Sequence, residues 1–412
     1  MRILYIVHQF FPRWYTGTER FVLNIAKQMQ RVGHYVEVLT YGFKEDEGFS
    51  LKNGAMVKRY KYQGIPVISI RHQNVPQDIR FVFEIFDAEI EPLIKTIITI
   101  KSYDIIHVAH PVRLGTAIKI SILSGLPIVL TLTDFWLACP RGIAVTSKGE
   151  LCRDSEEGTR CIRDCFGDMY KNKIMDRRFE INAILKNIDC IVAATDSLKQ
   201  IFEESYPELT LSLVRFGEDY SDVVTNKRTY SKDSVITLGF LSTLQPHKGA
   251  HILLEAFNKA TSSNIQIRIY GHYFENEDYY NTLIKNYKNK VEFCGEYRYE
   301  DMPIILNDID MIVVPSVWWE NSPLVLLRAL AHNVPAIVSD LGGMTEIVTD
   351  GENGFVFEAG NVESLAEILD KLGRNPAILN EMKANIRHPP RIEEEAFEYE
   401  LIYSKLFTAK NI

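Results

Sequence analysis

Residues 311–357 read MIVVPSVWWENSPLVLLRALAHNVPAIVSDLGGMTEIVTDGENGFVF, and the pattern of this segment indicates the architecture of the chain. It opens with a short apolar run, Met311–Val314, which predicts a strand buried on both faces and stopped by the Pro-Ser turn after it. A helical pattern follows from Leu324 to His332, and Val334–Ser339 predicts the next strand. Strands and helices that alternate in this way are typical of an α/β protein with a parallel sheet.

Two strand ends in this stretch predict a binding site. In open parallel sheets the ligand lies beyond the carboxyl ends of strands, where loops and helix N-termini present backbone N–H groups to an anion. Glu320 and a Ser-Pro turn follow the first strand, and Gly342, Gly343 and Glu346 follow the second. We therefore expect the chemistry of the chain to lie just beyond Ser316.

The order of these features closely resembles the nucleotide-sugar site of the family 4 glycosyltransferases. The resemblance covers most of the chain and is most specific over Pro315–Phe357. It implies the α/β GT-B fold, in which two Rossmann-like domains face each other across an interdomain cleft and a C-terminal helix returns to the first domain. It also implies a set of donor-binding residues in this stretch: Glu320, Asn321, Ser322, Pro323, Leu324, Arg328, Gly342, Gly343 and Glu346.

Composition limits the class of protein. A chain of 412 residues fits two domains of about 200 residues each, and 46% apolar residues suffice for two cores. A net charge of −8 argues against a general nucleic-acid partner. No apolar run approaches the roughly 20 residues that span a bilayer. We expect a cytoplasmic protein, with contact at the inner face of the membrane as an open alternative.

The predicted boundaries divide the chain into three parts. Residues 1–216 form an N-terminal, acceptor-side Rossmann-like domain that contains a Cys-rich insert at 139–165. Residues 217–390 form the C-terminal, nucleotide-sugar-binding domain, and residues 391–412 form a helix that packs back on the first domain. The last assignment follows from the resemblance.

The first predicted domain begins with a strand–helix–strand unit. Gly17 lies at the entrance of its helix, where the backbone can approach a ligand closely; a simple turn with a Thr N-cap is the alternative. Two further strands end near His107, His110, Thr133 and Asp134. The resemblance makes Asp134 a catalytic candidate and the other three acceptor-side candidates, although Thr133 occupies a position where the family often has His.

Four cysteines fall in a polar insert without periodicity: Cys139, Cys152, Cys161 and Cys165. In a reducing compartment such a group favours a metal site over disulfides. Their spacing does not repeat a double CxxC pattern. A structural zinc, unligated or redox-active thiols, and an iron–sulfur cluster are the alternatives.

The second predicted domain opens with a strand, a Gly/Pro loop that carries Lys248, and a helix. This arrangement is typical of a phosphate cradle with a mobile cation; a solvated lysine is the alternative. The resemblance places Lys248 and Glu320 at the donor as catalytic residues. Thr243 and Arg328 stand where the family usually has Arg and Glu. We hypothesise that Arg328 restores the cation missing at Thr243 and binds phosphate.

A sugar that departs from a nucleoside diphosphate requires compensation of charge on the diphosphate more than it requires a strong base. Lys248 and nearby helix N-termini can supply it without a metal, so no cofactor is expected for catalysis. The predicted activity is a retaining, metal-independent hexosyl- or related glycosyltransferase. It would move sugar from a nucleoside-diphosphate sugar to a saccharide or lipid-linked acceptor in polysaccharide or glycoconjugate synthesis. The alternatives are a catalytically impaired nucleotide-sugar-binding partner of another transferase and a sugar-nucleotide 2-epimerase.

Overall fold

A computed structural model of the chain describes residues 1–43, 46–76, 80–273 and 276–410. The chain separates into two compact units. Unit 1 comprises residues 1–216 and 392–412, and unit 2 comprises residues 217–391.

The described part of unit 1 is built on a nine-stranded sheet of order β3-β4-β5-β2-β1-β6-β7-β8-β9. Neighbouring strands are parallel except at β4, which pairs antiparallel with β3 and β5. Strands β1, β6 and β7 are almost wholly buried and apolar, as expected of parallel strands covered on both faces. The strands are β1 (Arg2–Val7), β2 (Tyr35–Tyr41), β3 (Ser50–Lys52), β4 (Ala55–Tyr62), β5 (Ile65–Arg71), β6 (Ile105–Val108), β7 (Ile128–Leu132), β8 (Cys190–Ala193) and β9 (Leu211–Leu213).

Helices connect these strands and close the unit. They are α1 (Gly17–Arg31), α2 (Arg80–Phe83), α3 (Glu91–Ile100), α4 (Gly115–Leu123), α5 (Thr159–Cys161), α6 (Lys171–Leu185) and α7 (Asp196–Ser205). The C-terminal helix α14 (Ile392–Lys410) also belongs to unit 1. It packs against α1 and buries Tyr399 and Tyr403 completely, so the end of the chain contributes to the core of the first sheet.

Unit 2 has a six-stranded parallel sheet, within its described residues, of order β12-β11-β10-β13-β14-β15. The strands are β10 (Ile236–Leu241), β11 (Ile265–Tyr270), β12 (Glu292–Gly295), β13 (Met311–Val314), β14 (Ala336–Ser339) and β15 (Gly354–Phe357). The helices are α8 (Ala250–Lys259), α9 (Glu277–Tyr287), α10 (Met302–Asn307), α11 (Leu324–Ala331), α12 (Val362–Arg374) and α13 (Ile378–Asn385).

The architecture confirms the predicted α/β fold class with two Rossmann-like sheets and a C-terminal helix that returns to the first. No element was predicted for β3, β4 and β5: β3 and β4 are partly exposed and carry polar residues, whereas β5 is mostly buried. The last two residues of the predicted C-terminal helix, 411–412, lie outside the described part. Among the described residues, no helix combines the length and the apolarity needed to cross a bilayer.

Candidate active site

Gly249 places the Lys248 loop against the end of strand β13. Its φ of +76° is in the left-handed region, and a Cβ at this position would lie 1.9 Å from the carbonyl oxygen of Pro315. Only glycine avoids that overlap. The close approach is fixed further by a 2.9 Å hydrogen bond from the Val317 N–H to the His247 carbonyl. Because β10 and β13 are neighbours in the sheet, their following loops meet.

Glu320 and Lys248 form a direct ion pair at this meeting point. The Lys248 Nζ donates to Glu320 Oε1 at 2.7 Å, and the Ser316 Oγ donates to the same oxygen at 2.7 Å. Glu320 is 7% exposed. Lys248 and Glu320, the two residues predicted to be catalytic at the donor, are therefore brought together within unit 2.

The Gly-Gly pair holds the backbone of Glu320. The Gly343 N–H donates to the Glu320 carbonyl at 2.8 Å. Gly342 has φ +64°, and a Cβ there would lie 2.0 Å from the same carbonyl oxygen. The loop after β14 thus packs directly on the loop after β13, which explains why small residues follow the second strand.

The electrostatics favour an ionised pair. Burial alone would raise the pKa of Glu320, but the Lys248 charge and hydrogen bonds from Lys248, Ser316 and Trp318 outweigh it, so the pKa lies below its ordinary value. Burial, with the Lys248 charge, lowers the pKa of His247 to about 4, which keeps this imidazole neutral. The Lys248 Nζ also lies 4.4 Å from the centre of the half-buried Trp318 ring. Trp318 therefore contacts the predicted catalytic cation.

Helix α11 begins beside this ion pair. Pro323 precedes its first residue, Leu324, and the N–H groups of a first helical turn have no acceptor inside the helix. Such a terminus favours an anion.

The other predicted donor-binding residues differ in exposure. Asn321 is buried, and Ser322 is half-buried. Thr243 is half-buried on the loop after β10, and Glu346 is exposed at the end of the Gly342–Glu346 turn.

The contacts of Arg328 contradict the hypothesis that this residue replaces a missing phosphate-binding cation. Its guanidinium donates to both carboxylate oxygens of Asp222, at 2.7 and 2.8 Å, and to the Asp219 carbonyl at 2.9 Å. It also lies 3.9 Å from the buried carboxylate of Glu218 and is only 1% exposed. Because acidic residues of unit 2 already compensate its charge, this arginine is not available to a phosphate.

In unit 1, Asp134 and His110 come together at the ends of β7 and β6. His110 Nε2 lies 2.7 Å from Asp134 Oδ2, and the Trp136 N–H donates to Asp134 Oδ1 at 2.8 Å. Thr133 is occupied by a different bond, from its hydroxyl to the Ala109 carbonyl at 3.0 Å. The carboxylate fixes the orientation of the imidazole, so this pair could bind a hydroxyl group.

His107 is not an acceptor-side residue, contrary to the prediction. It is completely buried, and its ring nitrogens share hydrogen bonds with Tyr403 of α14, at 2.5 Å, and with Thr131, at 2.8 Å. Burial lowers its pKa to about 3. The side chain of a mid-strand residue points into the core here because α14 covers that face of the sheet.

Sequence analysis missed three neighbours of the Asp134–His110 pair. The ring of His8 lies 4.1 Å from that of His110, and His8 Nε2 lies 3.7 Å from the buried carboxylate of Glu19. Burial lowers the pKa of His8 most, followed by the effect of His110 and then by the Arg113 charge. His8 directly follows strand β1 and Arg113 lies in the loop after β6. That position at strand ends was the signal available in the sequence.

Gly17 begins helix α1 on the same side of the sheet. No atom lies within 4 Å of a Cβ built at this position. The glycine is therefore not required by packing within unit 1, and open space lies beside the helix entrance.

Two family models match the chain. The model "Glycosyltransferase Family 4" matches residues 15–210, and the model "Glycosyl transferases group 1" matches residues 225–388. The chain belongs to the group 1, family 4 glycosyltransferases.

Similar proteins agree with this membership. An uncharacterized glycosyltransferase of Methanocaldococcus jannaschii is 22% identical over 396 residues, which cover 94% of this chain and 93% of the relative. Among solved structures, sucrose-phosphate synthase from Thermosynechococcus elongatus has a TM-score of 0.72 at 15% identity and covers 99% of both chains. HepE of Anabaena, solved with UDP and glucose, has a TM-score of 0.68 at 17% identity and covers 98% of this chain and 99% of its own. These structures confirm the GT-B fold of the glycosyltransferase.

The cysteines of this glycosyltransferase do not form an evident metal site. Among the residues that the structure describes, no group of three or more His, Cys, Asp or Glu side chains is placed to hold a metal ion. Burial, and then neighbouring cysteines, raise the pKa of Cys161 to about 12, and burial raises that of Cys152 to about 11. Both thiols are thus mostly protonated near neutral pH. The structural zinc stays a prediction.

Proposed function

We propose that this glycosyltransferase uses a nucleoside-diphosphate sugar, transfers its sugar with retention of anomeric configuration, and needs no catalytic metal. The observation that carries the proposal is the Lys248–Glu320 pair, held at 2.7 Å beside the first turn of α11. The similar protein HepE was solved with UDP and with UDP-glucose, which supports a nucleotide-sugar donor.

The chemistry follows from where charge develops. When the bond between sugar and diphosphate breaks, negative charge builds on the leaving phosphate oxygen, and fixed positive groups stabilise it most effectively. The Lys248 ammonium and the first-turn N–H groups of α11 would supply that stabilisation. Because Glu320 holds the ammonium in place before the donor arrives, little reorganisation is needed during the reaction.

Glu320 has a second role in the proposal. Its lowered pKa keeps the carboxylate ionised near neutral pH, and an ionised carboxylate accepts hydrogen bonds only. It can therefore accept a bond from a hydroxyl of the transferred sugar while it pairs with Lys248. In unit 1, the Asp134–His110 pair would bind a hydroxyl of the acceptor, which we propose to be a saccharide or a lipid-linked alcohol in polysaccharide or glycoconjugate synthesis.

The test compares three variants of unit 2. Lys248→Gln removes the proposed phosphate-binding cation, and Glu320→Gln removes the carboxylate charge with little change in shape. Lys259→Gln is the matched control, because Lys259 forms an exposed ion pair with Glu363 in the same unit. UDP affinity is measured by calorimetry, and turnover is measured as UDP release from a panel of UDP-sugars with simple saccharide acceptors.

We expect Lys248→Gln to bind UDP at least about tenfold more weakly, since hydrogen bonds to charged groups contribute about 1.5–3 kcal/mol. Glu320→Gln should bind UDP but lose most turnover, and Lys259→Gln should behave as the parent. Proton NMR of the product should show the anomeric configuration of the donor, and EDTA should leave the rate unchanged. Equal UDP affinity in Lys248→Gln, an inverted product or a rate abolished by EDTA would each contradict the corresponding part of the proposal.

The same assays separate the two alternative functions. A catalytically impaired binding partner would bind UDP-sugar but release no UDP, both as the parent protein and as Glu320→Gln. A 2-epimerase would convert the free donor into its epimer in the absence of any acceptor.

A further inference from the structure

Arg113 occupies an unusual place in unit 1. It lies in the loop between β6 and α4, and its φ of +65° is in the left-handed region that side chains other than glycine rarely adopt. Strand β1 has β2 on one side and β6 on the other, so the loops after β1 and β6 lead away from each other. This is the switch point at which open α/β sheets bind ligands.

In the part of the chain that the structure describes, the Arg113 guanidinium has aromatic neighbours and no acceptor for its Nε–H. It lies 5.2 Å from the ring centre of Tyr41, 4.6 Å from that of Phe43 and 4.9 Å from that of Phe81. Among the described residues its buried Nε has no hydrogen-bond partner, and the side chain forms no ion pair with a carboxylate. The rings attract the positive charge, but within the described residues they leave the Nε–H donor without an acceptor.

Nearby groups do not supply a counter-charge. Burial, then His110 and Arg113, lower the pKa of His8 well below its ordinary value, so this imidazole is neutral. Its buried Nδ1 likewise has no hydrogen-bond partner within the described part of the chain. Asp134 is turned to His110 and Glu19 accepts from the Thr16 hydroxyl at 2.6 Å. Two nitrogens without a partner among the described residues, His8 Nδ1 and Arg113 Nε, thus lie on the loops that flank the switch point, and the Oε1 of Glu19 also has none.

Leaving such groups unpaired is costly. A buried polar atom without a partner destabilises the folded protein, and a partly buried charge without a counter-ion destabilises it more. The left-handed backbone of Arg113 adds strain. An arginine with a planar set of donors in this setting fits an oxyanion, and two oxygens of a phosphoryl group match its fork.

We propose that Arg113, assisted by His8, forms a phosphate-binding subsite on unit 1 and that the acceptor of this glycosyltransferase carries a phosphoryl group next to the sugar or alcohol that is glycosylated. The inference rests on the proposed function, because it assigns this subsite to the acceptor. The phosphoryl group can belong to a soluble sugar phosphate or to the headgroup of a phosphate-linked lipid. Both sources present the same oxyanion to Arg113.

The experiment uses the full chain saturated with UDP, so that the donor phosphates already occupy unit 2. Inorganic phosphate is titrated in by calorimetry at constant ionic strength. Arg113→Gln removes the charge, and Arg113→Lys keeps the charge but loses the bidentate fork. Lys119→Gln is the matched control, since Lys119 lies on the adjacent helix α4 and its charge is already paired with Glu91 at 3.5 Å. Thermal melting verifies that each variant is folded.

We expect phosphate to bind the parent and Lys119→Gln equally, to bind Arg113→Gln at least about tenfold more weakly, and to bind Arg113→Lys with intermediate affinity. No binding to the parent, or equal binding to Arg113→Gln, would overturn the inference. Glucose 6-phosphate and vesicles containing phosphatidylglycerol then distinguish the two sources: Arg113→Gln should weaken binding of whichever one the parent prefers. Binding of neither by the parent would also overturn it.

Failure of the proposed function gives a different result. If none of UDP, GDP and ADP bound any form of the protein, the donor assignment would fail. The phosphate titration would still test Arg113, with Lys248→Gln as the background in which the unit 2 cation is absent.

Discussion

Replacing Gly342 by alanine tests how the loop after β14 positions Glu320. The left-handed φ of +64° costs an alanine roughly 1–2 kcal/mol. The new methyl group would also lie 2.0 Å from the Glu320 carbonyl oxygen and 2.7 Å from its backbone nitrogen. Because both contacts are with backbone, relief requires the Glu320 loop to move, and overpacking of this kind costs about 1–3 kcal/mol more. The expected total is about 2–5 kcal/mol.

Gly351→Ala is the control for this substitution. Gly351 has a similar φ of +73°, but no atom lies within 4 Å of a Cβ built there. It should therefore lose only the roughly 1–2 kcal/mol of backbone strain. Any difference between the two variants reports the contact with Glu320.

The assay is urea unfolding followed by the fluorescence of Trp318 and Trp319, together with UDP affinity and turnover. We expect Gly342→Ala to unfold at lower urea than Gly351→Ala and to lose turnover, because displacement of Glu320 breaks its 2.7 Å bond to Lys248. Gly351→Ala should retain turnover. Equal destabilisation of the two variants, or full turnover in Gly342→Ala, would refute the reasoning.

Three further predictions concern the interior of each unit. The pKa of His107 is about 3 in the folded protein and about 6.5 in an unfolded chain. As pH falls from about 6.5 towards 3, the unfolded state binds the proton first, so unit 1 loses stability by up to about 1.4 kcal/mol per pH unit. Urea unfolding at several pH values should therefore show a shallower acid dependence in His107→Gln, and an unchanged slope would contradict this. Arg328→Ala should destabilise unit 2 by about 3 kcal/mol, the lower end for a broken buried pair, because its partner Asp222 is 46% exposed. The same variant should retain UDP affinity within about threefold, and selective loss of UDP binding in a stable protein would restore the phosphate role rejected above. Tyr403→Phe, which removes the hydroxyl shared with His107 and Tyr5, should lower the melting temperature of unit 1 while an exposed control, Phe397→Leu, should not.

Local sequence patterns predicted much of the fold and the central Lys248–Glu320 pair of the candidate site. Buried strands in a parallel sheet are continuous apolar runs, so β1, β7 and β13 are visible without coordinates. Loops after neighbouring parallel strands open on the same edge, which is why Lys248 and Glu320, separated by 72 residues, were expected at one site and lie at 2.7 Å. The glycines that permit this close approach can also be identified from the sequence of those loops.

Other features depended on which distant segments cover a given face. His107 lies within β6, whereas His110 lies just beyond the end of that strand, and helix α14, almost 300 residues later, buries His107. From the sequence Arg328 was interpreted as a free cation, but the carboxylates of the segment 218–222 enclose it.

The buried parallel strands, the helices between them and the loops that carry chemistry could be predicted from the amino-acid sequence, because they follow from periodicity and turn residues, and the order of the motifs carried the resemblance to the family. The three-dimensional arrangement is needed to know which polar side chains are paired inside the protein and which, such as Arg113 at its Nε, have no acceptor among the described residues. That distinction depends on burial and on counter-charges contributed by residues far apart in sequence, which no local pattern encodes.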